Sequence, residues 1–116
     1  MSDAAHPTTI LHITTADGWA AARAAGRLVT PSLDEEGFIH CSTHAQVAAT
    51  ANRIFAGSGD LVLLEVDTTK VTAPLKWERA TDVQDEFPHI YGPLNLDAVT
   101  GTIPLPAGAD GSYTLA

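Results

Sequence analysis

Apolar residues along this chain fall into short runs, and the spacing inside each run predicts its conformation. "ILHITT" (residues 10–15) is rich in β-branched side chains and predicts a strand. "DGWAAARAAG" (17–26) is alanine-rich and predicts a helix, capped by Thr15 or Asp17, anchored by Trp19 and ended by Gly26. "RLVTPSLDEEG" (27–37) holds a proline, an acidic run and a glycine without a period, and reads as a connector. "GFIHCS" (37–42) predicts a second strand. Ser42 or Thr43 then caps a helix through "HAQVAATANRIFAG" (44–57), whose Val47, Ala51, Ile54 and Phe55 recur at helical spacing and face the core. A strand follows over about 60–67, within "DLVLLEVDTT". "VTAPLKWERA" and "TDVQDEFPHIYGP" alternate extended and turn-like pieces, and a last strand falls near 98–105. Residues 1–9 are mostly small and polar and read as a flexible arm before a single domain over 10–116. Helices early and strands late predict an α+β domain with a mostly antiparallel sheet and two main helices.

Composition narrows the partners. Hydrophobic residues make up 45% of the chain and charged residues 17%, enough apolar material for one core. Fourteen acidic residues against 6 Lys and Arg give a net charge of −8. That balance argues against duplex nucleic acid, whose binding needs clustered cations, and leaves room for a small polyanionic ligand. Cys41 is the single cysteine, so no internal disulfide forms, and a reducing cytoplasm fits. No apolar run approaches the ~20 residues that span a bilayer, so no membrane partner is expected.

Three apolar runs each contain one histidine: His12, His40 and His89. A polar group in such a run is costly to bury without a partner. Strand alternation puts His12 on a face with Ile10 and Thr14, His40 with Phe38 and Ser42, and His89 with Tyr91. Three strands can therefore present imidazoles to one cleft. The plain alternative is that each ring is satisfied separately, by a carbonyl or by solvent. A metal site from His40, Cys41 and His44 fails on direction, because alternation turns Cys41 away from His40, and no CxxC pair is present. The same inward direction makes Cys41 inert packing rather than a nucleophile. Ser42 and Thr43 suit a helix cap, and a helix N-terminus also favours anions. Asp85-Glu86 offers a carboxylate, or simply a solvated loop.

"LHIT", "EGFIHCSTHAQVAATANRIF", "LLEVD", "WE" and "FPHIYGPLNLDAV" resemble a family of small bacterial proteins of uncharacterised function, over about Ile10 to Leu105. That family is similar in fold to the ADP-ribosyltransferases, whose split β-sheet cradles NAD. The resemblance implies an ADP-ribosyltransferase-like fold, a nucleotide partner and NAD as substrate, with no further cofactor. It puts His12 on a ribose hydroxyl and His40 against the nicotinamide, followed by Ser42 and Thr43 as small polar residues. Its third position, which holds the other ribose, falls on Glu86 or His89, with Tyr91 nearby. Transfer or hydrolysis of ADP-ribose is then one expected activity, and a binding module without chemistry is the other. Ile13 stands where many transferases have glycine, and the third region lacks a Glu-x-Glu pair.

Overall fold

The computed structural model describes residues 6–79 and 85–115. Strand β1 (Thr9–Thr14) leads into helix α1 (Ala16–Ala25). Thr15 caps α1 by accepting from the Gly18 N–H at 3.0 Å, and Gly26 ends it at φ 81°, a left-handed turn that glycine enters without steric cost. The stretch read as a connector contains strand β2 (Arg27–Leu28) and helix α2 (Pro31–Glu35). Pro31 starts α2 in the first turn, where an N–H has no helical partner to lose. Both elements are too short to show a period. Strand β3 is Ile39–His40 alone, shorter than the 37–42 expected.

Helix α3 runs from Val47 to Ile54, starting later than residue 44. The gap is filled by a reciprocal cap. The Thr43 hydroxyl accepts from the Gln46 N–H at 3.2 Å, and Gln46 Oε1 accepts from the Thr43 N–H at 2.9 Å. Val47 and Ala51 are buried, whereas Ile54, expected in the core, is 57% exposed at the last helical position. The chain continues through β4 (Leu61–Asp67), β5 (Leu75–Arg79), β6 (Glu86–Ile90), β7 (Leu94–Asn95) and β8 (Val99–Leu105).

All strand pairs are antiparallel. One sheet has the order β1-β4-β8, another β3-β6-β5, and β2 pairs with β7. The class is α+β, with mostly antiparallel sheets and few helices. The two three-stranded sheets touch at one bridge, between Leu11 and Ser42. Pro88 explains why they part there. Register opposes His40 to His89, and so brings Cys41 opposite Pro88. Cys41 donates to the Pro88 carbonyl at 3.1 Å, but proline has no N–H to return. The ladder stops, and the next residue changes partner. Ser42 and Leu11 exchange two backbone bonds, at 2.7 and 2.8 Å.

Two apolar clusters lie on opposite faces of the first sheet. Leu61 and Leu63 of β4 pack with Leu11, Ile13, Val47 and Ala51 under α3. Leu64 and Val66 pack with Ile10, Ala22 and Leu28 on the α1 side. Both faces of β4 are covered, which accounts for its nearly unbroken apolar run. His6, within the stretch expected to be a flexible arm, stacks on Trp77 with ring centroids 4.0 Å apart. Among the described residues no helix is long and apolar enough to cross a membrane.

Candidate functional site

The place where the sheets part is where the histidines gather. A cleft of about 500 Å³ opens there, lined by His12, His40 and His89 together with Phe38, Arg53 and Arg79. His12 fills the split itself. Its Nδ1 lies 2.8 Å from the carbonyl oxygen of His40, which can only accept, so Nδ1 carries the proton. Burial pushes the His12 pKa below its usual value, partly offset by that carbonyl and reinforced by the nearby His40 ring. The ring is therefore neutral at pH 7, with its lone pair on Nε2. Among the described residues none engages Nε2. Among the described residues no buried side-chain nitrogen or oxygen lacks a partner, so this atom opens to the cleft. His12 thus has a structural bond on one nitrogen and a free acceptor on the other.

The second sheet builds the cleft wall. Directly opposed residues of an antiparallel pair share a face, so His40, His89 and Lys76 form one row across β3, β6 and β5. Phe38 stacks on His89 with centroids 4.0 Å apart and planes 18° from parallel. It meets His40 edge-on at 4.8 Å. Each wall histidine has a carboxylate partner that sequence reasoning missed. Glu36 Oε2 is 2.9 Å from His40 Nε2, with both side chains about half exposed. Glu78 Oε1 is 2.7 Å from His89 Nδ1 and also accepts from the Tyr91 hydroxyl at 2.6 Å. The Tyr91 bond first, then the His89 bond, holds the Glu78 carboxyl below the usual carboxylate range. The same carboxylate raises the Tyr91 phenol above its ordinary value.

Of the residues singled out in the sequence, His12, His40, Ser42 and His89 meet at this cleft. Ser42 is buried, and its hydroxyl points to Thr50 Oγ1 at 3.4 Å. Thr43 lines no part of it, because its hydroxyl caps α3. Tyr91 does not line the cleft; it is tilted against Phe38 at 5.2 Å, on the same face of the sheet as His89. Glu86 requires a correction. It alternates with Phe87 and His89, so it leaves the sheet on the opposite face, where its carboxylate meets His6 at 3.1 Å. Cys41 is buried, and burial pushes its thiol pKa up to about 12.

A second cleft of about 560 Å³ lies between α1 and the 27–32 segment. It shares His12, Ile13, His40 and Phe55 with the first. Arg53, Arg79 and Glu78 carried no signal in the sequence, since only strand register and helix packing bring them near the histidines; Glu36 lies four residues before His40, a local spacing the sequence does show. Phe38 did carry one, two residues before His40. Among the described residues no group of three or more His, Cys, Asp or Glu is placed to hold a metal ion.

Comparison with known proteins places this architecture. A family model described as a protein of unknown function (DUF952) matches residues 13–102. The crystal structure of protein CC0527 from Caulobacter crescentus is similar at 38% identity and a TM-score of 0.84, covering 93% of this chain and 95% of that one. The solution NMR structure of CC0527 gives 37% identity and a TM-score of 0.79, covering 94% of each chain. Curated proteins gave no match.

Proposed function

The chain belongs to the DUF952 family of proteins of unknown function, and on that premise we propose, from its cleft, that it binds a small nucleotide of the NAD or ADP-ribose class. The observation that carries this reading is the convergence of three imidazoles, an aromatic wall and two arginines on one cleft. In a chain of net charge −8, Arg53 and Arg79 beside the histidines supply a local cationic pair suited to phosphates. The Phe38, His40 and His89 rings give a planar base or nicotinamide surfaces to pack against. His12 Nε2 is an acceptor for a ribose hydroxyl, the role that the resemblance to ADP-ribosyltransferases implies. Two sheets joined at one bridge, with histidines at the split, support an ADP-ribosyltransferase-like reading of the fold. Fold alone does not carry function, so the cleft chemistry bears the weight. One cysteine, buried and unpaired, makes a cytoplasmic setting part of the same reading.

An NMR titration of the ¹⁵N-labelled protein tests it, using NAD, ADP-ribose and a 2′-phosphorylated nucleotide at about 1 mM each, enough to populate a weak complex. At least one ligand is expected to shift the amides of Phe38, His40, Ser42, Arg53 and His89. No shifts with any of the three, or shifts confined to residues away from the cleft, would overturn it.

A further inference from the structure

We propose that His89 is a general base acting on water in this cleft, and that Glu78 and Tyr91 are the residues that position it. Glu78 Oε1 receives two short hydrogen bonds, 2.7 Å from His89 Nδ1 and 2.6 Å from the Tyr91 hydroxyl. An ionised carboxylate only accepts, so in the neutral form of the His89 ring the proton sits on Nδ1 and the lone pair on Nε2. Among the described residues none engages that Nε2. His89 is 9% exposed and lines the cleft, and no buried side-chain nitrogen lacks a partner among the described residues, so Nε2 faces the cleft. Phe38 stacked at 4.0 Å and His40 edge-on at 5.3 Å fix the ring plane. A carboxylate that holds one imidazole nitrogen while the other meets the reactant is the arrangement that general-base catalysis uses.

The other two histidines lack one part of it. His12 is tied to a neutral carbonyl, which stabilises an imidazolium less than a carboxylate does. The His40–Glu36 pair has its carboxylate, but both side chains are about half in solvent, at 51% and 48% exposed. Of the three cleft histidines, only His89 combines a carboxylate partner, a stacked and largely buried ring, and an open nitrogen.

The proposal rests on the nucleotide reading and names its chemistry as hydrolysis of a ribosyl-pyridinium bond. A water oxygen bonds to the anomeric carbon, and the water proton goes to His89 Nε2. The carbon–nitrogen bond breaks, and its electron pair neutralises the pyridinium nitrogen, so the base leaves as a neutral amide. The imidazolium, stabilised by Glu78, returns its proton to solvent. No oxidant, reductant or metal enters the balance.

The test uses the full chain with NAD as the probe. Nicotinamide release is followed by proton NMR, NAD affinity by calorimetry, and the histidine tautomers of the ligand-free protein by ¹⁵N NMR. The parent protein is expected to release nicotinamide, with His89 as the Nδ1–H tautomer. His89→Gln should lower the rate about 100-fold or more, the usual weight of a general base. Glu78→Gln should lower it at least about tenfold, with NAD affinity changed less than about twofold. Its amide can donate to Nδ1 and move the ring proton to Nε2, so the tautomer signal should change as well. Tyr91→Phe, a milder change that keeps the fold should Glu78→Gln lose it, should give an intermediate rate. Glu86→Gln should leave the rate unchanged. NAD binding without nicotinamide release, or a Glu78→Gln protein with unaltered rate and tautomer, would overturn the proposal while sparing the binding reading. Absence of NAD binding would overturn the proposal too, and the binding reading falls with it only if ADP-ribose and the 2′-phosphorylated nucleotide also fail to bind.

Discussion

His12 occupies the one point where two backbones separate, and its ring supplies the bond that neither strand can. Alternation within "ILHIT" and "FIHCS" was enough to group His12 and His40 on cleft-facing sides, because a strand's period is local. Alternation also condemns Glu86, since it is one residue from Phe87 and three from His89. The carboxylate partner of His89 was hidden for a physical reason: Glu78 meets His89 only through the β5–β6 register, which no local pattern encodes. His12 makes a pH prediction. Its folded pKa lies below the ordinary 6.5, so the unfolded chain binds a proton there that the folded chain refuses. Its contribution is therefore fully present above the unfolded value and lost as pH falls from there through the lower folded value. Urea unfolding between pH 8 and pH 5 should show a steeper loss of stability for the parent than for His12→Ala. At pH 8 that variant should itself be less stable by about 1–3 kcal/mol, because the His40 carbonyl loses its partner. Parallel pH curves for the two proteins would contradict this account.

At the level of elements, what was readable had either a period or a cap. Helix α1 has a cap at each end, Thr15 and Gly26, and β4 and β8 appear close to where their apolar patterns put them. Two-residue strands such as β2 and β7 have no period to read, and they exist because they pair with each other. The late start of α3 is a case of cap chemistry prevailing over pattern. "THAQ" is a reciprocal cap whose first turn is tight and irregular, so regular helix begins only at Val47. Thr43→Ala should therefore destabilise the protein by about 1 kcal/mol, within the 0.5–2 range of lost caps. Ser42→Ala should cost less, since the Ser42 hydroxyl has only a long 3.4 Å contact with Thr50. Midpoints from urea unfolding at unchanged slope measure both. The reverse order would mean that Ser42, not Thr43, caps the helix.

Across the whole molecule, the split follows from one proline. Pro88 ends the β3–β6 ladder, Ser42 crosses to Leu11, and the gap between the sheets becomes the cleft that the histidines line. Nothing in the sequence shows which strands are neighbours, so the place where the two sheets part was not legible there. The central claim is that this cleft binds a nucleotide through His12 and His40. Calorimetric titration of the parent, His12→Ala and His40→Ala proteins with NAD, ADP-ribose and a 2′-phosphorylated nucleotide at low ionic strength tests it most directly. Saturable binding by the parent is expected, weakened in each variant by about 1–2 kcal/mol, close to tenfold per 1.4 kcal/mol. Undetectable binding by the parent, or equal affinity in all three folded proteins, would contradict it.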